Sequence, residues 1–171
     1  EAAIVRSITS MSERDRVTQI LNSPKIVQVK AKHDRAFGVL QGFLLDTSLH
    51  LLELEENRTA ERVLSEFIIA AEESGEMPVL CAGNAGCFNP YFYRAVARYR
   101  LLDDFGALAD LTKAELYDPE DPNIANLQAW ILAVCLPEQG RDLAKARLLA
   151  ERAVQRTQSS DPHALDTLAA V

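Results

Sequence analysis

Two Asp-Pro pairs, Asp121-Pro122 and Asp161-Pro162, lie about forty residues apart, and each heads a run with helical apolar spacing. Aspartate supplies acceptors for the unpaired N–H groups of a helix start. Proline there presets a helical backbone angle and gives up an N–H that would have gone unpaired anyway. The run DPNIANLQAWILAVCL reads as a first helix, RDLAKARLLAERAVQR as a second, and DPHALDTLAAV as the opening of a third that repeats the start of the first. A chain that returns to the same start signal after each helix pair is built for stacking, because one pair buries its apolar face only against the next. The pattern stops at Val171 just as Leu165, Leu168 and Ala169 open a new apolar face, so the last unit reads as incomplete.

Upstream, the spacing predicts more helices. Ala2 to Leu21 has loose helical spacing broken by Ser12 to Arg16, and Asn22, Ser23 and Pro24 punctuate it. Lys25 to Lys32 alternates apolar and polar residues as a strand would. It is read as helix, because no second segment offers a strand partner. From Asp34 a firm stripe runs through Phe37, Leu40, Leu44, Leu45, Leu49, Leu52 and Leu54, with Gly38 and Gly42 one turn apart, where a neighbouring helix would approach closely. A short polar break leads to Val63, Leu64, Phe67, Ile68 and Ala71, which forces an antiparallel hairpin over residues 34–74. Asn57 or Thr59 is expected to cap the second helix. The same residues spell a glycosylation sequon, which capping explains without a secretory pathway. Glu76 to Pro90 crowds turn-forming residues and reads as a connector.

Charge and side-chain chemistry narrow the function. A net charge of −7 gives no basic face for phosphates, so nucleic acid is not expected as a partner. Cys81, Cys87 and Cys135 match no zinc spacing and are read as free thiols, although Cys81 and Cys87 could pair in an oxidising compartment. His50, Glu53 and Glu56 share a helix face but lack a second histidine, so a solvated face is expected rather than a metal site. His33 and His163 are isolated. With no assembled acid, base and nucleophile, no catalytic residue and no cofactor is assigned, and an enzyme is not expected. No apolar run reaches the length of a membrane span, so direct insertion is not expected. A cytoplasmic address is favoured, with the start at Glu1 leaving room for a leader or anchor removed upstream.

Tyr91 to Leu102 interleaves aromatics with arginines, and a short turn at Asp103 and Asp104 leads to a helix from Phe105 to Tyr117. On that second helix Ala107, Leu111 and Ala114 set small residues on either side of a large one, and Pro119 follows. In the next unit Ala146, Ala150 and Ala153 recur at the matching place. Alanines at such positions let helices cross closely. These residues, over about 91–171, resemble the tetratricopeptide repeat (TPR) family. The units differ from that family in their spacing, about forty residues against about 34, and in Gln128, which stands where an apolar residue is expected.

The resemblance implies an all-α fold of antiparallel helix hairpins stacked as a right-handed α-solenoid. Residues 91–171 form the repeats, and residues 1–90 form a helical N-terminal region whose hairpin is a divergent repeat or a cap. It implies a non-enzymatic scaffold that binds a peptide or protein on the concave face of its first helices. Tyr91, Arg94, Arg98, Asn126 and Trp130 are the expected contact residues; Trp130 is at the same time expected to be core at its repeat position. The resemblance does not extend to the clamp that grips a peptide carboxylate. The competing reading is a structural homo-oligomer formed through exposed repeat ends.

Overall fold

The computed structural model describes residues 37–74 and 89–171, and every regular element among them is helical. Helix α1 spans Phe37–Glu53 and α2 spans Asn57–Ser74. They are followed by α3 at Pro90–Arg100, α4 at Asp104–Tyr117 and α5 at Pro122–Trp130. The chain ends with α6 at Leu143–Arg156 and α7 at Pro162–Ala170. The helices expected at Ala2 to Leu21 and Lys25 to Lys32, the connector from 75 to 88, His33, Cys81 and Cys87 lie outside the described residues, as do the surroundings of Gly38 and Gly42.

Three helices start in one way. Asp121 and Asp161 accept from the N–H two residues on, at 2.8 and 3.0 Å, with Pro122 and Pro162 in the first turn. Asn89-Pro90, read from sequence as part of the connector, is a third such start: Asn89 Oδ1 accepts from Phe92 N–H. Asn89 is itself buried, and its Nδ2 donates to the Ala114 carbonyl, tying the head of α3 to the tail of α4. Asp103 caps α4 through Gly106 N–H, and a side chain at Gly106 would collide with that carboxylate. The cap expected on α2 is not formed. Its helix already includes Asn57, and the buried Asn57 Oδ1 and Thr59 Oγ1 find no hydrogen-bond partner among the described residues.

Each helix packs against its successor in the chain; in addition α3 meets α1, and α7 meets α5. One apolar core runs through all seven, from Phe43 and Leu51 to Ala164. Ala107, Leu111 and Ala114 on α4 are fully buried, as are Ala146, Ala150 and Ala153 on α6. A side chain larger than alanine at these fully buried positions would overpack the helix crossings. The expected first helix from Asn123 onward changes pitch after Trp130. Ile131–Cys135 forms a π turn, closed by Leu136 N–H to the Ile131 carbonyl at 3.3 Å, before a 3₁₀ turn at Glu138–Gly140 leads into α6.

Candidate functional site

A helix with about 3.6 residues per turn gives α3 two working faces roughly 100° apart. Tyr91, Arg94 and Arg98 fall on one, Phe92 and Tyr99 on the other. The first face is closed. Arg94 makes a two-pronged contact with Asp110 on α4, Nε to Oδ2 at 2.8 Å and Nη2 to Oδ1 at 2.7 Å, and its Nη1 donates to Ser65 on α2. Arg98 Nη1 reaches the same Asp110 at 2.9 Å, and its Nη2 reaches Glu61 on α2 at 3.2 Å. Asp110 is 3% exposed and Arg94 11%, so these charges are bound to one another away from water. Burial weakens the charge on Arg94, but the hydrogen bonds and charge of Asp110 prevail and raise its pKa.

Tyr91 belongs to the same seam. It is buried, stacks on Tyr117 with ring centroids 6.0 Å apart, and donates its hydroxyl to Glu72, which also accepts from Lys113 at 3.2 Å. Burial, then the Glu72 bond, pushes the Tyr91 hydroxyl far above its ordinary range, while that bond holds the Glu72 carboxyl below its own. A second polar junction joins α4, α5 and α6. Gln128 is buried and donates to Glu115 at 3.2 Å, and Arg152 donates to the other Glu115 oxygen at 2.6 Å. Burial raises the Glu115 carboxyl, and the Arg152 and Gln128 bonds together outweigh it, leaving the pKa lowered. Gln128, expected from the sequence to stand at an apolar position, is thus buried with a carboxylate partner for its amide N–H, while its Oε1 has no partner among the described residues.

The second face of α3 is open. Phe92 and Tyr99 from α3, Asn126 and Trp130 from α5, Asp161 that caps α7, and Asp166 within it are among the residues lining a groove of about 440 Å³. Asn123, Asn126, Leu127 and Trp130 follow the i, i+3, i+4, i+7 pattern of one helix face. The Trp130 indole N–H donates to the Tyr99 hydroxyl at 3.1 Å, which ties the ring on α5 to α3. Trp130, expected in the core, is only half-buried and forms part of the groove wall. Asn126 Oδ1 is shielded from solvent and has no donor among the described residues. An acceptor left in that state costs about 1–3 kcal/mol, and Gln128 Oε1 on the same helix is in the same state.

Of the five residues expected on a contact face, the fold therefore brings Asn126 and Trp130 together at the groove and engages Tyr91, Arg94 and Arg98 between helices. Phe92, Tyr99, Asp161, His163 and Asp166 were not singled out from the sequence as contact residues. The period through Asn126 and Trp130 could have found Asn123 and Leu127, but only the packing of α7 adds the acidic wall. His50 donates from Nδ1 to the Asp46 carbonyl of its own helix, and no cluster of His, Cys, Asp and Glu suited to a metal occurs among the described residues. Burial, then the charge of Asp104, raises the pKa of the half-buried Cys135 and keeps it a thiol at neutral pH. No described helix is long and apolar enough to cross a membrane. No family model matches the sequence, and no curated protein or solved structure matches it significantly.

Proposed function

We propose that this chain is a non-enzymatic scaffold that binds a segment of another protein in the groove between α3, α5 and α7. These three are the first helices of successive TPR-like hairpins, and in a right-handed α-solenoid the first helices line the concave side. One observation carries the reading: the groove takes its walls from all three, with a half-buried tryptophan on one of them. Apolar walls with a few placed polar atoms favour an occupant with both side chains and main-chain N–H groups to offer. Asn126 and Trp130 are its central contacts. Tyr91, Arg94 and Arg98 hold α3 in position behind them.

The test uses the only tryptophan in the chain as the reporter. Peptides selected from a displayed random dodecapeptide library should change Trp130 fluorescence on binding, and Asn123→Trp, which crowds the groove mouth from an exposed position, should abolish capture of the same peptides. Selected peptides that bind the crowded variant as well as the parent would show that the groove is not the site. A competing reading, self-association, is favoured by exposed Leu116 on α4 and Leu148 on α6. Sedimentation velocity over a concentration series separates the two, since a monomer at every concentration removes it.

A further inference from the structure

We infer that the groove accepts a basic segment, with a Lys or Arg side chain set against Asp166 and Asp161. This rests on the groove being the binding site. Its α7 wall carries two carboxylates, and no Lys or Arg is among the described residues that line it. Asp161 uses Oδ1 to cap its own helix through His163 N–H, and Asp166 is exposed with no ion pair among the described residues. The three arginines of α3 are engaged elsewhere: Arg94 with Asp110, Arg98 with Asp110 and Glu61, and Arg100 with the Leu52 carbonyl. Carboxylates on one wall of a concavity with apolar sides concentrate negative potential there, and a chain of net charge −7 adds to it at long range.

The opposite walls suit the rest of such a side chain. Trp130, Phe92 and Tyr99 present aromatic surface on which the methylene stem of a lysine or the plane of a guanidinium can lie. An acidic or C-terminal carboxylate ligand would find like charge instead, and a purely apolar one would leave both aspartates desolvated. Charge complementarity therefore selects a cationic peptide over the alternatives.

The experiment compares dodecapeptides selected on the parent, on Asp166→Asn, and on Glu138→Gln, an exposed residue of the 3₁₀ turn that loses the same charge away from the groove. Parent-selected peptides should share a Lys or Arg at a fixed position. Their affinity should fall roughly fivefold in Asp166→Asn, remain unchanged in Glu138→Gln, and weaken as salt rises. Peptides that Asn123→Trp excludes but that lack a basic position, or that ignore Asp166→Asn, would overturn the basic-segment inference and leave the groove reading standing. A selection that yields no peptide sensitive to Asn123→Trp would overturn both.

Discussion

The seam between α2, α3 and α4 and the groove between α3, α5 and α7 share one helix and treat their polar groups in opposite ways. In the seam each charge has a partner: Asp110 takes two arginines, Glu61 takes Arg98, and Glu72 takes Tyr91 and Lys113. In the groove, among the described residues, the Asn126 amide oxygen has no donor and Asp166 has no ion-pair partner. Buried polar groups that are completely paired contribute to specifying one packing, whereas unpaired ones are where an external molecule has something to gain. The seam fixes how the first hairpin meets the second. The groove is left over by that choice.

Asp110→Ala tests the seam most severely. It leaves Arg94 nearly buried without its partner, and breaking a buried pair from one side costs about 3–5 kcal/mol. A urea midpoint should fall accordingly. A loss below about 1 kcal/mol would mean that water reaches the seam and the contrast with the groove is false. Trp130→Ala comes next. Complete burial would put its cost at about 3–5 kcal/mol, and its half-buried place on the groove wall lowers the expectation to about 2 kcal/mol. The same variant should lose selected peptides, which the seam variant, when folded, should retain.

Asp121→Ala removes the cap of α5 and should cost about 1 kcal/mol, read from the thermal midpoint. The same carboxylate accepts from the N–H and the side chain of Asn123, a residue that lines the groove, so selected peptides that touch Asn123 should bind more weakly and the rest should be unaffected. Glu115 gives the smallest effect and a pH signature. Its folded pKa lies below its unfolded one, so its contribution is complete above the ordinary glutamate range. That contribution is lost as pH falls through the lowered folded value. Glu115→Gln should flatten the acid side of the stability–pH curve, and stability profiles of parent and variant that fall in parallel below about pH 4 would refute the junction.

The helices of α3 to α7 were legible because their signals are local. Asp121-Pro122 and Asp161-Pro162 act within two residues of themselves, and Ala107, Leu111 and Ala114 on α4, like Ala146, Ala150 and Ala153 on α6, follow a helical period. Asn89-Pro90 carried the same start signal, but it sat among turn-forming residues that hid it. The buried acid was also readable in part, since Asp110 lies three residues after Ala107 and four before Ala114, on the alanine face of α4. What it pairs with was not readable. Arg94 and Arg98 are one turn apart, and an arginine pair on a helix looks the same whether it faces a buried aspartate or water.

By itself the sequence determined the all-helical character, the hairpin turns after α1 and α3, and the residues small enough to stand at helix crossings. Propensity, caps and apolar period act over a few residues and are written along the chain. Only the tertiary structure decided which face of α3 is closed, that Gln128 and Glu115 pair in the interior, and that Asp166 from the last helix stands across from Trp130. Those outcomes depend on groups tens of residues apart coming within hydrogen-bonding or groove-spanning distance. Helical period gives a side chain its direction around its own axis, and the partner waiting in that direction is set by how the other helices pack.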